Sequence, residues 1–415
     1  MRHAALALIG LALAGPARAQ TIAITGGTVY PVSGPKLENA TVLLRDGKIV
    51  AVGTSVVVPD GATRVDAKGR WVTPGLIHLR TTLGIHLLDS GGEDETQEYI
   101  REGQIKASFT VADAIDPAIM TIPVARMEGI TSAAAVPSEG LIPGQAVLFD
   151  LAGDRLEDML VKGPMAMVAD LSESAKESGG GSRAGAVQRL RLVLRDAREY
   201  AERREDFRKA QIQPLAADAE DLEALQPVLR GSLPLYVIAN RRSDIENALR
   251  IAAEFHLRLA IYGGVEAWQM APALAAAKVP VILEPLTDLP AFDALGARLD
   301  NATLLREAGV MVAAAQTDAA HFRDLRQAAG NQVRNGMSWD DALRTVTLAP
   351  AEVALVGDRY GSLDAGKVAN VVVWSGDPLE LSSRVEHLFI RGRAVPLVSR
   401  QTELLQRYRK LPPAY

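Results

Sequence analysis

Between Pro74 and about Leu355, short apolar runs alternate with helical segments, and this alternation constrains the fold more than any other feature of the chain. "LPLYVIA", "LRLAIYG", "VPVILEP" and "GVMVAAA" have the length and β-branched content of buried strands. Each lies near a segment with helical spacing. In "SDIENALRIAAEF" the apolar positions recur at three and four residues, and Ser243 or Asp244 can cap the start. "EAWQMAPALAAAK" and "NATLLREAG" follow the same plan. Strand, helix, strand, helix predicts parallel strands with helical crossovers. Eight such units close a barrel of about 250 residues, and the segment has room for them.

The two ends of the chain read differently. From Thr21 to Pro74, short β-branched runs alternate with turn signals at Gly26-Gly27, Asp46-Gly47 and Asp60-Gly61. "VLLRDGKIVAVG" predicts a hairpin turning at Asp46-Gly47. Near the C-terminus, Val371–Trp374 and Val385–Ile390 are again strand-like, and a short helix and tail follow. The simplest packing joins both ends. The expected architecture is α/β: a distorted (β/α)8 barrel over residues 74–357, with a small β-sandwich domain built from residues 20–73 and 358–415.

The first residues, "MRHAALALIGLALAGPARAQ", combine Arg2, an apolar run from Ala4 to Ala14, and Ala17-Arg18-Ala19. That is the pattern of a secretory signal, with cleavage expected after Ala19 and residence in the periplasm. The apolar run is too short to span a bilayer, and no other segment approaches that length. The chain has no cysteine, so disulfides, thiolate nucleophiles and cysteine-bound metals are excluded. The net charge of -5 argues against nucleic acid as a partner. Basic residues in "RLRLVLRDAREYAERREDFRK" are interleaved with acids and read as a solvated helix face. Gly179 to Gly181 meet neither a GxGxxG nor a Walker pattern and read as a loop.

"DGKIVAVG", "VTPGLI", "ALRTVTLAPAEVALVGDRYGSLDAGKVANVVVWSGDPLE" and "RGRAV" occur in an order and spacing that resembles the amidohydrolase superfamily across nearly the whole mature chain. Exported, imidazolonepropionase-like members look most similar. The resemblance implies a distorted TIM barrel and a composite sandwich. It also implies one or two divalent metals, usually zinc, whose bound water attacks an amide or related carbon. The ligand positions it implies are occupied here by Arg80 and Thr82 (strand 1), Val168 (strand 4), Ile238 (strand 5), Gly263 (strand 6) and Asp318 (strand 8). Asp318 alone keeps a ligand side chain.

The six histidines do not repair this set. His3 lies in the signal, His256 near a helix end, His387 in the sandwich and His321 after strand 8. His78 and His86 stand near strand 1. Neither His-X-His nor HExxH occurs. Asp89, Glu93, Asp94 and Glu95 read as solvated loop acids. A catalytic zinc takes three protein ligands, and a fixed guanidinium opposes a dication. The expected mouth therefore holds no metal. Asp318 and His78 are its candidate catalytic groups, and Arg80, Thr82 and Glu266 its candidate substrate contacts. In a closed barrel strand 1 lies beside strand 8, so Arg80 and Asp318 are expected to pair.

Two functions stand out on these residues, beside a weaker third, an enzyme with unrelated chemistry on the same barrel. One is a non-catalytic or accessory protein that binds a small molecule, as a homo-oligomer or paired with a metal-bearing relative. The other is a hydrolase of carbon–nitrogen bonds, with Asp318 activating water and Arg80 stabilising an oxyanion.

Overall fold

The computed structural model describes residues 21–86, 97–209, 211, 213–285, 289–290, 294–316 and 322–409. Strands β1 (Thr21–Val29), β2 (Leu37–Arg45), β3 (Lys48–Gly53), β4 (Thr63–Asp66) and β5 (Trp71–Pro74) come from one end of the chain. Strands β14 (Val371–Trp374), β15 (Val385–Ile390) and β16 (Arg393–Ala394) come from the other. All eight share one sheet, in the order β16-β15-β14-β5-β1-β2-β3, with β4 also paired to β1. The two ends meet where β5 runs antiparallel to β14, Val72 opposite Val373. At the predicted β2–β3 turn, Asp46 and Gly47 both have positive φ (50° and 77°), the geometry a two-residue hairpin needs. Alternate residues of these strands, among them Ile22, Val42, Val72, Val371 and Phe389, form a separate apolar core.

The second sheet has eight strands in the order β13-β12-β11-β10-β9-β8-β7-β6. They are β6 (Leu76–Thr81), β7 (Ile130–Ala135), β8 (Gly144–Asp150), β9 (Leu160–Asp170), β10 (Leu235–Ala239), β11 (Leu259–Gly263), β12 (Val281–Leu283) and β13 (Val312–Ala314). β13 comes alongside β6 and nearly closes the barrel. The expectation of eight parallel units is corrected at one strand: β8 runs antiparallel to both β7 and β9. Its connection from β7 is residues 136–143 and contains no helix. So short a link can reverse the chain but cannot carry it back for a parallel pairing.

Period-two alternation sorts the barrel residues into two layers. Leu79, Val168, Tyr236, Tyr262, Ile282 and Ala313 belong to the interior cluster. Leu235, Val237, Ile261, Val281 and Val312 face outward into the layer shared with the helices, such as Ile245, Ala248 and Ile251 of the helix Arg242–Phe255. Below, the helix Leu348–Val353 closes the interior, and Tyr236 Oη donates to Val353 O at 3.0 Å.

A buried polar knot ties barrel to sheet. Fully buried Asp150 accepts from Ser132 Oγ (2.7 Å), Asn370 Nδ2 (3.0 Å), Tyr360 Oη (3.1 Å) and Arg391 Nε (2.6 Å). Gly75 explains the Pro-Gly step between them: a Cβ there would stand 2.1 Å from Thr131 Oγ1. No described helix is long and apolar enough to cross a membrane.

Candidate functional site at the barrel mouth

The register across the barrel defines a layer near the C-terminal ends of its strands, where barrels of this kind place their sites. Asp170 pairs with Ile238, Ile238 with Tyr262, Tyr262 with Ile282, and Ile282 with Ala313. Glu284 follows β12 just above this layer. Arg80 enters from β6, where an irregularity makes it possible. Between His78 and Thr81 the strand carries one more residue than β7 does between Ala133 and Ala135. Such a bulge re-aims a side chain. The Arg80 guanidinium lies over the Tyr262 ring, 4.2 Å from its centroid. Its Nη1 donates to Glu284 Oε1 at 3.3 Å.

Burial opposes the charge of Arg80, but Tyr262, Glu284 and Asp170 outweigh it and hold its pKa above the ordinary value. Burial is also the main force pushing the Tyr262 hydroxyl up, so that group keeps its proton. The guanidinium lies over the ring face, and Tyr262 Oη has no partner at hydrogen-bonding geometry. Thr82 Oγ1 and Gln316 Nε2, at the ends of β6 and β13, are likewise buried without a partner. Asp170 is satisfied locally by the Ser172 N–H (2.7 Å) and Ser174 Oγ (2.6 Å).

The residues singled out from sequence fall in three groups. Arg80 and Thr82 stand at the mouth, Arg80 on β6 and Thr82 just past its end. His78 is fully buried. Its Nδ1 accepts the Arg80 N–H at 3.4 Å, which leaves the proton on Nε2, and Nε2 has no partner. Burial pushes His78 down to about 3, so it is neutral at any working pH and too weak a base to serve as proposed. Glu266 is committed to backbone: Oε1 accepts from Gly296 N (3.0 Å) and Oε2 from Arg242 N (2.9 Å). It ties the start of the helix Arg242–Phe255 to the loop at Gly296. Asp318 and His321 lie outside the described residues, as do Asp89, Glu93, Asp94 and Glu95. The acid that meets Arg80 among the described residues is Glu284, in "VILEP". Its signal was available: it continues the interior parity of Ile282 beyond the strand end. His86 Nε2 lies 2.7 Å from Glu98 Oε2. Burial works against the Glu98 charge, but the His86 hydrogen bond helps hold its pKa below the ordinary value.

A divalent metal does not fit the side chains at the positions where it is implied. Arg80 brings a cation, Val168 is buried in the interior cluster, and Ile238 packs against that cluster. Gly263 has φ +92°, and a Cβ there would stand 2.3 Å from Asn240 Oδ1, so a histidine in its place would strain the backbone and displace the Asn240 side chain. Among the described residues, no group of three or more His, Asp or Glu side chains could hold a metal together.

Comparison with known proteins bears on descent. Residues 293–395 match the family model for the amidohydrolase family. The chain is 26% identical to the imidazolonepropionase of Acidiphilium cryptum over 390 residues, covering 83% of this chain and 89% of that one. A crystal structure of an amidohydrolase from Thermotoga maritima superposes with a TM-score of 0.82 at 27% identity, covering 91% of this chain and all of that one. The chain belongs to the amidohydrolase superfamily. Within the superfamily it is also 24% identical over 388 residues to the amidohydrolase tasK of Hapsidospora irregularis, covering 85% of this chain. It spans only 39% of that protein's length.

Proposed function

We propose that this amidohydrolase-superfamily protein works without a metal, as an exported, non-catalytic or accessory member that binds a small molecule at the barrel mouth. The observation that carries this is Arg80 at a first-strand ligand position, laid on Tyr262 and paired with Glu284. A guanidinium keeps its proton at any working pH, so the position is permanently cationic. Zinc would have to approach this charge without the three ligands it normally takes. The rigid wall of the barrel and the unpartnered donors around Arg80 are suited to holding a ligand. The relatives' names, amidohydrolase and imidazolonepropionase, favour the alternative, a hydrolase of carbon–nitrogen bonds. That alternative leans on Asp318, since His78 is neutral and buried.

The test is elemental analysis of protein purified without chelators, with hydrolysis of cyclic amides and N-acyl amino acids measured with and without added zinc. Metal-free protein that stays inactive with zinc supports the proposal. Stoichiometric zinc, or turnover that zinc activates, overturns it. Export is tested separately by N-terminal sequencing from a native envelope fraction. The expected first residue is Gln20, and recovery of Met1 would contradict it.

A further inference from the structure

Resting on that reading of the mouth, we infer that the ligand is a small zwitterion, an α-amino acid or a compound of that pattern, with its carboxylate at Arg80 and its ammonium group toward Glu284. The inference starts from the distribution of donors and charge. Arg80 and Tyr262 lie on β6 and β11, and Thr82 and Gln316 just past the ends of β6 and β13, on the arc of the mouth that runs from β6 through β13 and β12 to β11. Arg80 reaches Glu284 through a single Nη1 contact at 3.3 Å, which leaves the other edge of its fork for a second, bidentate partner. About a fifth of the Arg80 side chain remains exposed, so that edge can be approached. The unpartnered Thr82 Oγ1, Gln316 Nε2 and Tyr262 Oη can all donate. Buried donors without acceptors are costly, and a ligand carboxylate supplies acceptors for them.

The same rim is not simply cationic. Glu284 stands against Arg80, and Asp170 lies beyond Ile238 in the register. A plain anion would meet two carboxylates, and a plain cation would meet the guanidinium. A zwitterion meets neither penalty. It exchanges one long ion pair for two, one at each of its ends. Ile238, half-buried between Asp170 and Tyr262 in the register, offers apolar surface to a side chain.

Three probes separate the possibilities by calorimetric titration of the full chain: L-leucine, the cation L-leucinamide and the anion N-acetyl-L-leucine. L-leucine is expected to bind about tenfold or more tighter than either, the worth of one charge-assisted hydrogen bond. Glu284→Gln should bring L-leucine down to the level of N-acetyl-L-leucine, and Arg80→Gln to the level of L-leucinamide. Equal or tighter binding of either singly charged probe overturns the assignment, and so does the absence of saturable heat from all three. The comparison on the unaltered chain decides the matter even if the variants unfold. Zinc measured on the same sample keeps the two proposals apart. Stoichiometric zinc overturns the metal-free reading whatever the heats, whereas metal-free protein that does not prefer L-leucine overturns only the zwitterion.

Discussion

Replacing Arg80 with methionine keeps an unbranched apolar stem over Tyr262 but removes the charge that Glu284 faces. The Arg80 and Glu284 side chains are 21% and 17% exposed, so the pair sits between the exposed and fully buried cases. Breaking it should cost about 2–4 kcal/mol, between the ~0–1 of exposed pairs and the ~3–5 of buried ones. Equilibrium urea unfolding of the unaltered chain, Arg80→Met, Glu284→Gln and the double variant forms a cycle that isolates the pair. The double variant should recover much of the stability lost by Arg80→Met, since it removes both charges of the pair together. A cost under about 1 kcal/mol, with no recovery in the double variant, would refute the pairing argument.

Other expectations follow from the same contacts. His78 stays neutral in the fold while the unfolded chain takes up a proton below about 6.5, so stability is lost as pH falls from there toward 3; His78→Leu should remove about 2 kcal/mol of the stability difference between pH 7 and pH 5, measured by urea unfolding at both. Asp150→Ala strands Arg391 at the junction of barrel and sheet and should cost about 3–5 kcal/mol in the same assay. Gly263→His should lower stability by at least ~1–3 kcal/mol through its left-handed backbone and the clash with Asn240, and should bring no zinc into the purified protein. Unchanged stability for that variant would show the mouth to be more plastic than its geometry implies.

Much of this architecture is written in local patterns. The Asp46-Gly47 turn, the β-branched runs at both ends and the alternation in the middle each report on a few neighbouring residues, and each is found in the structure. What was not legible depends on distance or direction. The reversal of β8 follows from the length of a connection rather than from the composition of the strand. Arg80 and Glu284 are 204 residues apart and meet only because β6 and β12 lie near each other on the same rim. Arg80 itself points into the barrel by virtue of a bulge, and the strand alternation gives no warning of it. Nothing local in the sequence shows that two backbone N–H groups, of Gly296 and Arg242, donate to both oxygens of Glu266.

The most direct measurement is anomalous diffraction at the zinc absorption edge, from crystals of the unaltered protein grown with added zinc. The expected result is no anomalous peak at the mouth, with the Arg80 guanidinium lying over Tyr262 and in contact with Glu284. A peak between the ends of β6 and β13, with Arg80 swung away from Tyr262, would contradict the claim that this mouth works without a metal.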